Sequence, residues 1–125
     1  MEIRTQPLDA GTLAAQFRAL CDLCVALDPV GLDVSYGWAC NLEQDDLYSD
    51  HRIQSAALSD FVDRSAASGV FTLGESDLYI KGASVEFSFT LCHESDIHFE
   101  CLDANLVNRV TELWTAAGLS FYPVG

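Results

Sequence analysis

The chain has 125 residues, half of them hydrophobic, which suits one folded domain of ordinary size and excludes a disordered chain. Nineteen acids against six bases give a net charge of −13. That balance disfavours nucleic-acid backbones and anionic membranes, and favours a basic protein partner or a cation, unless the charge serves only to keep the protein dispersed.

Glu2 to Leu8 opens the chain as a short strand, with Ile3 and Arg4 on opposite faces. It offers no apolar stretch behind a basic start, so no secretion signal is expected. No apolar run approaches the roughly 20 residues that span a bilayer. Five cysteines, an odd number, then read as reduced thiols in a cytoplasmic protein.

Asp9 is a predicted N-cap. Leu13, Phe17, Leu20, Cys24 and Leu27 follow at helical spacing, with Cys21 beside them. Asp28-Pro29 ends this helix, because the residue before a proline is pushed out of the α region. Leu32 to Cys40 is the next predicted strand, with Val34, Tyr36, Trp38 and Cys40 on one face. Asp33, Ser35, Gly37 and Ala39 line the other, where small residues suit an open surface or a close backbone approach.

Asn41 to Asp50 is an acidic loop. Ser49 or Asp50 is expected to cap a second helix with Ile53, Ala57 and Phe61 as its stripe, ended by Gly69. Val70–Leu73 and Leu78–Lys81 are expected to form a hairpin around Gly74-Glu75-Ser76-Asp77. Ser84 to Leu102 reads as a second hairpin. Val85, Phe87, Phe89 and Leu91 alternate with Glu86, Ser88 and Thr90, and Ile97, Phe99 and Cys101 alternate with Asp96, His98 and Glu100. Opposed residues share a face, so a three-residue turn at His93-Glu94-Ser95 pairs Leu91 with Ile97, Phe89 with Phe99 and Phe87 with Cys101. The other face pairs Cys92 with Asp96, Thr90 with His98 and Ser88 with Glu100. Asp103 should cap a third helix with Leu106, Val110, Leu113 and Ala117 as its stripe, Gly118 should stop it, and Leu119–Tyr122 adds a last strand. Consecutive strands with one apolar face each predict an α+β fold, a largely antiparallel sheet covered on one face by about three helices, in a single domain over residues 1–125.

No catalytic motif stands out. Cys21 and Cys24 form a CxxC, but inside a helix on its apolar stripe, where buried thiols belong. Cys92, His93, His98 and Cys101 have zinc-ligand chemistry, yet alternation sends Cys101 to the core face and Cys92 and His98 to the other. Glu43, Asp45, Asp46 and Asp50 lack the glycine and closing glutamate of a calcium loop. Ser88, His98 and Glu100 share a face without the pocket that a nucleophile needs. No metal or cofactor is therefore expected.

A small, acidic α+β domain carrying Asn41–Asp50 (NLEQDDLYSD) and Cys92–Glu100 (CHESDIHFE) resembles bacterial toxin-immunity proteins. The resemblance implies a non-enzymatic, cytoplasmic protein that neutralises a basic toxin, often a nuclease, through an acidic surface. Glu43, Asp45, Asp46, Tyr48, Asp50, Glu86, Glu94, Asp96, His98 and Glu100 are the residues it puts forward. Two other classes stay open. One is a small-molecule-binding or enzymatic domain with a pocket among Trp38, Tyr36 and the second helix. The other is an oligomeric module pairing through the Leu119–Tyr122 edge.

Overall fold

The period-2 segments pair as antiparallel strands. In the computed structural model, which describes Met1–Gly125, the chain runs β1 (Glu2–Thr5), α1 (Ala10–Leu27), β2 (Leu32–Tyr36), β3 (His51–Ile53), a 3-10 turn (Ser55–Ala57) and α2 (Leu58–Ala67). It continues through β4 (Leu78–Gly82), β5 (Ser88–Leu91), β6 (Ile97–Glu100), α3 (Ala104–Ala116) and β7 (Phe121–Val124). The seven strands form one sheet in the order β3-β2-β4-β5-β6-β1-β7, antiparallel throughout. The register of β5 and β6 is the one alternation demands: Phe89 opposes Phe99, Leu91 opposes Ile97, Thr90 opposes His98 and Ser88 opposes Glu100. Ser95 closes the turn with a left-handed backbone, φ 66°, and Cys92 N–H donates to the Asp96 carbonyl at 2.9 Å.

All three helices lie on one face. Leu20 and Leu23 of α1 and Val110 and Trp114 of α3 meet over Phe89 and Ile97, leaving a small apolar cavity of about 130 Å³ at the seam. On α2, Phe61 stacks on Tyr36 at 6.2 Å. Twenty-five buried residues form one continuous apolar cluster. Helix α1 has 18 residues and a mean hydropathy of 1.3, enough by length and composition for a bilayer span; here Leu13, Phe17, Leu20, Cys21, Leu23, Cys24 and Leu27 are buried in the core. Asp9 caps it by accepting from Thr12 N–H at 2.8 Å, and Asp103 caps α3 by accepting from Asn105 N–H at 2.8 Å.

The CxxC thiols are core residues. Burial pushes Cys21 up to about 12 and Cys24 higher still. Both are expected to resist alkylation in the native protein and to react once it is unfolded, as peptide mapping after iodoacetamide treatment with and without denaturant will show. Fast native labelling of Cys24 would contradict this packing.

Several boundaries differ from the sequence reading. Strand β2 stops at Tyr36, and Trp38 lies on a turn, 61 % exposed. His51–Ile53 is an edge strand rather than helix, because Leu32 pairs with Ile53 and Asp33 with Arg52, whose guanidinium meets the Asp33 carboxylate at 2.6 Å. α2 accordingly starts at Leu58. Val70–Leu73 is not a strand. The Val70 carbonyl accepts from Asn41 N–H, and Thr72 is tied into a tight turn by Glu75 and Ser76 N–H. The stripe of α3 is rotated toward Val107, Val110 and Trp114, leaving Leu113 half-exposed. The last strand is Phe121–Val124 and includes Pro123, which an edge position tolerates.

Candidate functional site

The face without helices carries the alternate residues of each strand. Asp33, Lys81, Ser88 and Glu100 form one cross-strand row, and Ser35, Tyr79, Thr90, His98 and Arg4 the next. The acidic loop folds onto this face. Tyr48 N–H donates to the Tyr36 carbonyl at 2.8 Å at the end of β2. Its ring lies over Tyr79, with centroids 6.0 Å apart. Gly37 permits that approach, since a Cβ there would stand 2.6 Å from Tyr48 and 2.7 Å from Tyr79. Tyr48 itself has φ 63°, a left-handed conformation that costs a bulky residue roughly 1–2 kcal/mol. The amide bond and the ring contact hold it there.

Asp50 reaches Lys81 at 3.6 Å, closing the loop against β4. Together Ser35, Tyr48, Asp50, Tyr79, Lys81 and Thr90 border an open cavity of about 340 Å³. Beside it, Lys81, Glu86, Ser88 and Glu100 border another of about 310 Å³. The cations of this face are spent locally. Arg4 binds Glu2, Arg52 binds Asp33 and Lys81 binds Asp50. Glu43, Asp45, Asp46, Glu86 and Glu100 are exposed and make no ion pair.

Of the residues expected at a partner surface, the structure thus brings Tyr48 and Asp50 to the same face as His98, Glu100 and Glu86, while Glu43, Asp45 and Asp46 are exposed earlier on the same loop. Glu94 sits at the tip of the β5–β6 turn, exposed, 3.8 Å from His93. Asp96 does not fit the expectation of a solvated acid. It is only 6 % exposed, and its Oδ2 accepts from His98 Nε2 at 2.9 Å.

That contact also engages His98 with Asp96 rather than with Ser88, so Ser88, His98 and Glu100 form no catalytic relay. No cavity lies among Trp38, Tyr36 and α2; Tyr36 faces the core against Phe61 and Phe71. Cys101 joins the core cluster rather than the group of Cys92 and His98, as alternation requires, and donates to the Glu86 carbonyl at 3.2 Å.

No protein family, curated protein or solved structure matches this chain. Function has to be read from the face itself.

Sequence reasoning overlooked Asp77, which was placed in a turn. It is buried, and its Oδ1 accepts both His93 N–H at 2.7 Å and His93 Nδ1 at 2.8 Å. Its Oδ2 accepts from Tyr79 O–H at 3.0 Å. The burial of Tyr79 itself and the bond to Asp77 hold its hydroxyl well above the ordinary range, so it stays a neutral donor. Only the pairing of β4 with β5, remote in local sequence pattern, brings Asp77 to the hairpin turn.

Proposed function

We propose that this protein is an immunity-type inhibitor that captures a basic protein toxin on the uncovered face of its sheet. The observation that supports this most is the acidic loop clamped by Tyr48 onto Tyr79 and by Asp50 onto Lys81, at the face that carries Glu86 and Glu100, with Glu43, Asp45 and Asp46 exposed on that loop. Every cation on that face is already paired, so its field is negative toward an approaching partner. Exposed rings of Trp38 and Tyr48, each 61 % accessible, supply the aromatic anchors that protein interfaces favour. Neither phosphate-binding lysines nor a basic stripe is present to recruit nucleic acid. Five free thiols suit a reducing cytoplasm.

The test is capture from the native host with the tagged protein at low salt, followed by elution with rising salt. A stoichiometric basic protein that elutes with salt, and whose toxic activity the purified inhibitor blocks, is the expected result. A captured protein that is acidic, or whose activity the inhibitor leaves untouched, would sink the proposal.

A further inference from the structure

At the turn end of the β5–β6 hairpin, two triplets of ligand-type atoms share one sulfur. Cys92, Asp96 and His98 place a thiol, a carboxylate oxygen and a ring nitrogen within 4.8 Å of one another, and Asp77, Cys92 and His93 do the same. These residues come from the start of β4, the end of β5 and the start of β6, so the cluster is assembled by strand order. Two buried carboxylates and a buried thiol converge with two imidazoles. No lysine or arginine bonds any of them; Arg4, opposite His98 on β1, is held by Glu2 instead.

A second observation is independent of that proximity. Asp96 is more than nine-tenths buried, its Oδ2 is taken by His98, and its Oδ1 has no hydrogen-bond partner. A buried acceptor left bare costs roughly 1–3 kcal/mol, and more when it is charged. The Cys92 thiol lies beside it, its sulfur within 4.8 Å of the ligand atoms of Asp96 and His98. Asp96 thus offers an unused buried acceptor beside a thiol and an imidazole.

We propose that Cys92, Asp96 and His98 bind a thiophilic divalent transition metal, with Zn²⁺ the member that fits. Sulfur, imidazole and carboxylate are the donor types that Zn²⁺ takes, at bond lengths of about 2.0–2.3 Å. Donors around one tetrahedral ion then stand roughly 3.3–3.8 Å apart, within reach of the spacing already present. The thiol selects against Ca²⁺ and Mg²⁺, which take oxygen donors. Binding displaces the thiol proton to solvent and leaves His98 with its proton on Nδ1. Asp77, fixed by Tyr79 and His93, lies beside the sulfur as its outer support. The ion would staple β5 to β6 where the turn leaves them. This site differs from the partner surface and stands or falls separately from it.

The experiment uses the intact, chelator-stripped, reduced protein. Co²⁺ is titrated first, with a thiolate-to-metal charge-transfer band as readout, and Zn²⁺ is then added as competitor. About one equivalent of Co²⁺ should give the band, Zn²⁺ should abolish it, and excess Ca²⁺ should not. Cys92→Ser should remove the band. Asp96→Asn and His98→Ala should each weaken Zn²⁺ by more than about 100-fold, beyond the roughly 10–100-fold cost of losing an outer support. Zn²⁺ should also raise the melting temperature of the unmodified protein, which needs no variant to fold. Absence of the band in the unmodified protein, or undiminished Zn²⁺ affinity in Cys92→Ser, would overturn the assignment. So would a loss in His93→Ala as large as that in His98→Ala.

Discussion

Replacing Asp28 with alanine is expected to cost on the order of 3 kcal/mol of stability and roughly 10 °C of melting temperature. Asp28 follows α1 and is fully buried. Its carboxylate is the hub of a knot. Oδ2 accepts from Ser84 N–H at 2.6 Å and Val85 N–H at 2.8 Å. Oδ1 accepts from Ser84 O–H at 2.8 Å and Val30 N–H at 3.1 Å. The Asp28 carbonyl takes the Ser55 hydroxyl. One side chain thus ties the end of α1 to the β4–β5 connection, while its backbone ties it to the turn before α2. Gly82 makes room, because a Cβ there would stand 2.0 Å from the Val85 carbonyl oxygen. Alanine would remove the acceptor from four part-buried hydrogen bonds at once. Asparagine would fare little better, since its NH₂ faces those donors.

The same residue carries a pH signature. Burial alone would raise its carboxyl, but the Ser84 and Val85 amides and the Ser84 hydroxyl outweigh burial and hold it far below the usual carboxylate range. The folded value lies below the unfolded one, near 3.9. Its stabilisation is therefore complete above about pH 4 and is lost as the pH falls through that value toward the folded one. Urea unfolding should show the full gap between the unmodified protein and Asp28→Ala at pH 7. At pH 3 the gap should be smaller by roughly 1 kcal/mol. A variant within about 0.5 kcal/mol of the original at pH 7 would refute the knot.

Reversing two charges on the acidic loop, Asp45→Lys with Asp46→Lys, is expected to slow association with the captured toxin about 10- to 100-fold at low salt. Both residues are exposed and unpaired, so their replacement should move stability by less than about 0.5 kcal/mol. Their effect is exerted at a distance, during encounter, and the difference should shrink as salt shortens the Debye length to a few ångströms. Asp22→Lys with Asp60→Lys changes the net charge equally, but on the outer surface of α1 and α2. This control should slow association far less. Stopped-flow association at several salt concentrations separates the two. Equal slowing by both pairs would mean that only net charge matters and that the loop has no directing role.

Much of this architecture was legible from neighbours along the chain. Alternation in Phe87–Leu91 and Ile97–Cys101 determined the hairpin register, because a slip by one residue turns every acid inward. Asp9, the stripe from Leu13 to Leu27 and Asp28-Pro29 determined α1 in the same local way. So did the one-sided sheet, since each strand offers a single apolar face.

What distance along the chain hides, only the tertiary structure decided. His51–Ile53 became a strand because β2 lay beside it and Asp33 met Arg52, which outweighed the helical spacing of Ile53, Ala57 and Phe61. Asp28 looked like a helix end and proved to be a buried hub, because its donors arrive from Ser84 and Val85. Asp96 sits at a polar position of its strand yet is buried, because the hairpin turn, His98 and the thiol of Cys92 enclose it. Asp77 reaches the same cluster only through the placement of β4 beside β5. Periodicity records which face a residue occupies; it holds no information on which distant carboxylate, thiol or amide will share that face, and the energy of a buried polar group depends on that company.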